Sequence, residues 1–82
     1  MKTRDEIIGT VNDFLIEEIE IAPEMLKDDA LLKDDLGIDS LDFVDIVVIV
    51  ERNFGFKIKP EDMANVRTLG QFYDFIERRL NN

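Results

Sequence analysis

Residues 34–55 read DDLGIDSLDFVDIVVIVERNFG and contain the signals that decide the fold. Asp39 is a favourable N-cap residue, and Asp42, three residues later, gives a capping-box arrangement whose negative charges suit the start of a helix. Gly55 is well placed for a left-handed C-cap. The aliphatic run 46–50 would by itself favour a strand, but the two caps and the apolar periodicity outweigh that preference. We predict a helix between these caps.

The apolar residues of this helix fall on two sides. At about 100° per residue, one set repeats with the spacing of a stripe that packs against a core. The predicted core residues are Phe43, Ile46, Val47, Val50 and Phe54. The opposite side carries a second apolar set bordered by charged residues. It consists of Leu41, Val44 and Val48, with Asp45, Glu51 and Arg52 beside them and Asp42 near Ile49 at its margin.

A small helical bundle cannot easily bury both sides of one helix. We therefore predict that the second side is a docking face for other proteins. The alternative is that the preceding connection folds over Leu41 and leaves Val44 and Val48 as scattered surface residues. The face starts one residue after Ser40, so a protein docked there would lie beside anything attached to that serine.

Two further helices flank the central one. Residues 3–6 (TRDE) and 68–71 (TLGQ) have the form of capping boxes, and apolar residues at helical spacing follow each. We predict a first helix over about residues 4–20 and a last helix that opens at Thr68.

The connections between these helices are irregular. Pro23 and Pro60 each suit the first position of a short helical turn, and scattered apolar residues between charges indicate loops anchored to the core. The predicted fold class is all-α: a small helical bundle with three main helices and one short helix. We expect residues 1–82 to form a single domain, because a chain of this size builds one core.

The net charge of the chain is −9, and most of it surrounds Ser40. Residues 28–51 sum to −7, whereas residues 1–27 sum to −4 and residues 52–82 to +2. A negative field repels nucleic-acid phosphates and attracts basic protein surfaces. We therefore expect protein partners with basic surfaces and no nucleic acid, although an acidic face that only keeps a protein soluble would look similar.

The composition also bears on location and on metals. The longest aliphatic run, residues 46–50, is too short to span a membrane, and no apolar segment of a signal peptide follows the first residues. We expect a cytoplasmic monomer without membrane contacts. The five aspartates between residues 28 and 39 do not follow the alternating pattern of a calcium-binding loop, so we expect no specific metal site.

Ser40 is the only serine, and the chain has neither histidine nor cysteine. A serine without a neighbouring base is a poor catalytic nucleophile. A hydrolase that uses Lys33 as its base is disfavoured, because the surrounding acids raise the free energy of a serine alkoxide. Ser40 can still be a residue that another enzyme modifies. The simpler alternative is that Asp39 caps a helix and Ser40 only fills its first turn.

Gly37, Asp39, Ser40 and Leu41 closely resemble the attachment motif of acyl carrier proteins, an Asp-Ser-Leu sequence that usually has a glycine two residues before its aspartate. The resemblance extends over nearly the whole chain and indicates a type II carrier, which has a small helical fold. It implies that a phosphopantetheinyl transferase moves 4′-phosphopantetheine from coenzyme A onto the Ser40 hydroxyl. The terminal thiol of this group would then carry acyl groups as thioesters, and the protein itself would not be an enzyme.

The family also implies partner and cargo sites. In acyl carrier proteins the helix after the modified serine recognises acyl-transferring and ketosynthase-type enzymes with basic surfaces. The residues that match this pattern are Asp39, Leu41, Asp42, Val44, Asp45, Val48 and Glu51. The resemblance further implies that an acyl chain is sheltered between core side chains, including Phe43, Ile46, Val47 and Ile58.

The chain departs from the pattern of fatty-acid carriers, which commonly continue with acids after the position of Glu51. The residues that differ are Arg52, Asn53, Lys57 and Lys59, together with the bulky Phe43 and Phe56. These departures favour a dedicated type II pathway, such as aryl-polyene or polyketide-like synthesis. A peptidyl or aminoacyl carrier is an alternative, and so is an acidic interaction module in which Ser40 stays unmodified.

Overall fold

A computed structural model describes residues 3–81 of the protein. They form three α-helices, namely α1 (Arg4–Glu17), α2 (Ser40–Phe54) and α3 (Leu69–Asn81). Two short 3-10 helices, Pro23–Met25 and Pro60–Met63, lie in the connections. The predicted all-α bundle is confirmed, and the part of the chain described has two short helices where one was predicted.

Helix α1 begins where the sequence indicates but ends earlier. The Thr3 hydroxyl accepts a hydrogen bond from the Glu6 N–H at 3.2 Å, so Thr3 is the N-cap; the reciprocal bond of a full capping box is not formed within residues 3–81. The helix stops at Glu17, short of the predicted end near residue 20. Glu20 has a φ of +63°, a left-handed conformation that ends the helical path.

Helix α3 begins at a complete capping box. The Gln71 N–H donates to the Thr68 hydroxyl at 3.2 Å, and the Gln71 side-chain oxygen accepts from the Thr68 N–H at 3.1 Å. The Leu69 N–H also donates to the Ala30 carbonyl at 2.9 Å. This bond joins the long connection between α1 and α2 to the first turn of α3, which closes the bundle.

All three helices contribute to one hydrophobic core. Its largest fully buried side chain is that of Tyr73, whose hydroxyl donates a hydrogen bond to Asn12, so the one polar atom of this side chain is satisfied. Burial raises the pKa of Tyr73 to about 12, which keeps the side chain neutral in the core. The helical members of the core are Ile7, Val11, Phe14, Leu15, Ile46, Ile49, Val50, Leu69, Phe72, Tyr73 and Ile76.

The buried stripe of α2 is rotated from its predicted position. Ile49, which the helical periodicity placed at the margin, is only 5% exposed, whereas Phe43 and Val47 are half-buried. The prediction for Ile49 is wrong because Ile19, just beyond the end of α1, packs over that side of α2. Ile46 and Val50 are buried as predicted.

Gly70 provides a test of the packing between α3 and the long connection. Its N–H donates to the Asp28 carbonyl at 2.8 Å, and a Cβ at this position would lie only 3.0 Å from that oxygen. We expect Gly70→Ala to lower the free energy of unfolding by about 1–2 kcal/mol. Gly9 in α1 faces open space, so Gly9→Ala should raise it by about 0.5–1 kcal/mol. Urea denaturation followed by circular dichroism measures both, and changes of the same sign would contradict the packing described.

Candidate functional site

Asp39 and Asp42 cap the start of α2 reciprocally. The Asp42 N–H donates to Asp39 Oδ1 at 2.9 Å, and the Asp39 N–H donates to Asp42 Oδ2 at 3.3 Å. The Asp39 carbonyl also accepts the Phe43 N–H at 2.9 Å, which is the first bond of the helix. The predicted cap is confirmed, and it makes Ser40 the first helical residue.

A hydrogen-bonded turn precedes the cap. The Leu36 N–H donates to the Leu31 carbonyl at 3.0 Å and the Gly37 N–H to the Lys33 carbonyl at 3.1 Å, so residues 31–37 form a tight turn. Gly37 closes this turn with a φ of +69°, a conformation that glycine adopts without steric cost.

The Ser40 side chain is exposed at the start of α2. Within residues 3–81, neither its hydroxyl nor the N–H groups of Ser40 and Leu41 have a hydrogen-bond partner. Unpaired N–H groups and the positive end of the helix dipole favour a phosphate at this position. The carboxylates of Asp39 and Asp42 oppose that attraction. The exposed hydroxyl is therefore well placed to be modified, whereas its surroundings are less suited to binding a phosphate.

The second apolar side of α2 is exposed, as predicted. The exposed fractions are 77% for Leu41, 60% for Val44 and 54% for Val48. The alternative, in which the preceding connection covers Leu41, is therefore wrong. The other predicted partner residues surround this strip, with Asp39, Asp45 and Glu51 exposed and Asp42 half-buried. The structure brings all seven of these residues together around one end and one side of α2.

Two apolar cavities lie beside α2. An inner cavity of about 20 Å³ is lined by Leu15, Leu32, Ile38, Phe43, Ile46, Met63 and Phe72. An open groove at the surface is lined by Phe43, Val44, Val47, Val48, Ile58 and Pro60. Sequence periodicity missed Leu32, Ile38 and Met63, because these residues lie in irregular connections where no repeat indicates burial.

The four side chains expected to shelter an acyl chain divide between these spaces. Ile46 lines the inner cavity, Val47 and Ile58 line the groove, and Phe43 lines both. Both spaces are bounded by hydrocarbon and thioether surface, which suits apolar cargo.

Across residues 3–81, no three carboxylates come close enough to bind a metal ion together. In the same part of the chain, no helix has the length and apolar character required to cross a bilayer.

Comparison with known proteins identifies the family. A sequence model described as the phosphopantetheine attachment site matches residues 10–76. An acyl carrier protein of Thermotoga maritima is 36% identical over 80 residues, covering 98% of this chain and 99% of that protein. The chain belongs to the acyl carrier protein family. An acyl carrier protein of Amoebophilus asiaticus is 40% identical over 76 residues, covering 92% of this chain and 94% of that protein.

A more specialised relative is also similar. A meromycolate extension acyl carrier protein of Mycobacterium tuberculosis is 37% identical over 76 residues, which are 93% of this chain and 66% of that longer protein. Members of the acyl carrier protein family are carriers, and their prosthetic group is 4′-phosphopantetheine. The protein is thus a phosphopantetheine-bearing acyl carrier. The hydroxyl at the start of α2 fits attachment of that group, because its side chain is exposed among residues 3–81.

Two substitutions of Asp39 separate the stabilising effect of its capping hydrogen bond from the effect of its charge. Asp39→Ala removes the side-chain acceptor of the cap and should lower the free energy of unfolding by about 1 kcal/mol. Asp39→Asn keeps an acceptor of the same shape and should change the stability by only a few tenths of a kcal/mol, although it removes the charge. Thermal denaturation of the two variants tests this. Equal losses in both would show that the charge, and not the cap, stabilises the start of α2.

Proposed function

We propose that Ser40 is the residue that bears 4′-phosphopantetheine and that the exposed side of α2 docks the enzymes that modify and load it. The observation that carries this proposal is the exposure of the Ser40 hydroxyl at the capped start of α2. The protein would present one hydroxyl to a transferase and afterwards deliver acyl groups to enzymes of fatty acid or polyketide-type synthesis.

The other hydroxyl groups within the family match, residues 10–76, are poorer candidates. The Tyr73 hydroxyl lies in the core and is bonded to Asn12. The Thr68 hydroxyl accepts the capping bond of α3, and Thr10 is half-buried within α1. Ser40 is the exposed hydroxyl of this segment, and it has no competing hydrogen bond within residues 3–81.

The protein would act as a carrier without catalysing a reaction. It has no histidine near Ser40 or elsewhere, and the carboxylate of Asp39 is occupied by the cap, so the base that activates the hydroxyl must come from the transferase. The chain has no cysteine, so the bound phosphopantetheine supplies the thiol that carries acyl groups as thioesters. The residues of the chain present the hydroxyl, dock the partner and provide apolar shelter.

Docking would combine an apolar strip with a negative border. Leu41, Val44 and Val48 offer contact area, and the acids around them attract basic enzyme surfaces. Exposed charges of this kind accelerate encounters more than they prolong binding, so contacts should be brief and sensitive to salt. This behaviour suits a carrier that must leave each enzyme. The partner classes would be phosphopantetheinyl transferases, acyl-transferring enzymes and ketosynthase-type enzymes.

The choice of pathway stays a prediction. Arg52 and the bulky Phe43 support a dedicated type II system of aryl-polyene or polyketide-like synthesis, because both depart from the pattern of fatty-acid carriers. A cytoplasmic location, a monomeric state and a single domain over residues 1–82 also stay predictions.

Substitution of Ser40 tests the attachment residue. After incubation with coenzyme A and a broad-range phosphopantetheinyl transferase, the unsubstituted chain should gain the mass of one phosphopantetheinyl group, and Ser40→Ala should gain none. Circular dichroism should show the same fold for both, because the Ser40 side chain is exposed. Thr10→Ala, which removes another hydroxyl of the matched segment, should be modified normally. A mass gain in Ser40→Ala would refute the proposed site.

Exposed valines of α2 provide a test of the docking face. Val44→Gln and Val48→Gln should each lower kcat/KM for modification by the transferase about tenfold, corresponding to about 1.4 kcal/mol. Met25 is another exposed large apolar residue, but it lies in the first connection, so Met25→Gln should have little effect. Equal effects of all three substitutions would indicate that general surface hydrophobicity, and not this face, determines recognition.

A further inference from the structure

A groove separates the end of α1 from the exposed side of α2. It has a volume of about 250 Å³ and is lined by Glu18, Ile19, Asp45, Val48, Ile49 and Arg52. Three of its residues are aliphatic, and three are charged. Val48 and Asp45 also belong to the proposed docking face, so the groove continues that face from α2 towards the end of α1.

Arg52 spans this groove. Its Nη2 atom donates to the two carboxylate oxygens of Glu18, at 3.2 and 3.5 Å. The side chains of Arg52 and Glu18 are 62% and 46% exposed, so the pair is well solvated. Ion pairs with this exposure contribute little free energy and can be displaced. The other acid of the groove, Asp45, has no ion-pair partner within residues 3–81.

The charges at the end of α1 are unfavourable for the helix itself. Glu17 and Glu18 lie at its carboxyl end, where the helix dipole is negative, and the last turn has no basic residue. Arg52, the one basic residue of α2, is the cation that bonds to Glu18. Residues that oppose local stability are expected where a surface serves recognition. The place occupied by the Arg52 guanidinium is therefore one that a cation from another protein would fit.

The groove lies within reach of a partner that engages Ser40. Along α2, Val48 is about 12 Å from Ser40 and Arg52 is about 18 Å from it, at 1.5 Å per residue. A protein interface of ordinary size covers about 800 Å² on each partner, which is a patch roughly 30 Å across. Such a patch reaches about 15 Å from its centre, so a transferase centred on Ser40 covers Val48. A contact centred one turn further along α2 covers both Ser40 and Arg52.

We propose that the groove receives an arginine or lysine side chain of the phosphopantetheinyl transferase, and that Arg52 competes with this cation for Glu18. This inference rests on the docking role proposed for α2. The incoming side chain would lay its aliphatic stem along Ile19 and Val48 and place its charge between Asp45 and Glu18. Arg52 therefore lowers the affinity for basic partners and sets which of them the carrier accepts.

The test measures kcat/KM for modification of the full chain by a broad-range phosphopantetheinyl transferase at low ionic strength. Arg52→Gln should raise kcat/KM about threefold to tenfold, because Glu18 becomes available to the partner. Arg78→Gln changes the net charge equally but lies on α3, so the rise should stay below about twofold. Arg52→Lys retains the competing charge and should remain close to the unsubstituted chain.

The double variant Glu18→Gln/Arg52→Gln tests whether the gain in kcat/KM depends on Glu18. If Glu18 is the group that the partner uses, the double variant should lose the gain seen in Arg52→Gln. The inference is overturned if the double variant keeps the gain in kcat/KM, or if Arg52→Gln gains no more than Arg78→Gln. A lower kcat/KM in Arg52→Gln would also overturn it. These results are distinct from a failure of the proposed function, in which the unsubstituted chain would gain no mass at Ser40.

Discussion

The reciprocal hydrogen bonds between Asp39 and Asp42 determine where α2 begins, and the arrangement of the site depends on that starting point. A helix that began one residue earlier or later would follow the same sequence, but its first exposed N–H groups would belong to different residues. With Ser40 as the first helical residue, its hydroxyl stands outside the bundle. Gly37 contributes to this geometry by closing the preceding turn in a conformation that favours glycine.

Helix α2 packs against the core on one side and is proposed to bind partner enzymes on the other. Ile46, Ile49 and Val50 face the core, and Leu41 and Val48 face solvent on the other side. The buried side anchors the helix to the core, so the exposed side lies as a strip next to Ser40, the proposed attachment residue. Apolar cavities begin at the border between the two sides, where Phe43 lines both the inner cavity and the surface groove. Helix α2 therefore contributes to all three proposed roles, the attachment of the prosthetic group, the docking of partners and the shelter of an acyl chain, although residues outside α2 also line the cavities.

Short-range signals made much of this architecture predictable. The caps at Asp39, Thr68 and Gly55 are bonds or conformations that involve residues close in sequence, and the structure contains all three. The burial of Ile49 was not predictable in the same way, because it depends on Ile19, which lies beyond the end of α1 and packs over that side of α2. The ion pair between Glu18 and Arg52 joins residues far apart in sequence, so no local sequence pattern predicts it.

The exposed hydroxyl at the capped start of α2 is the proposed point of attachment of 4′-phosphopantetheine. The most direct measurement is fragmentation mass spectrometry of the unsubstituted chain after treatment with coenzyme A and a phosphopantetheinyl transferase. We expect one phosphopantetheinyl group, located on Ser40. A group located on Thr10 or Thr68, or a chain that no transferase modifies, would contradict it.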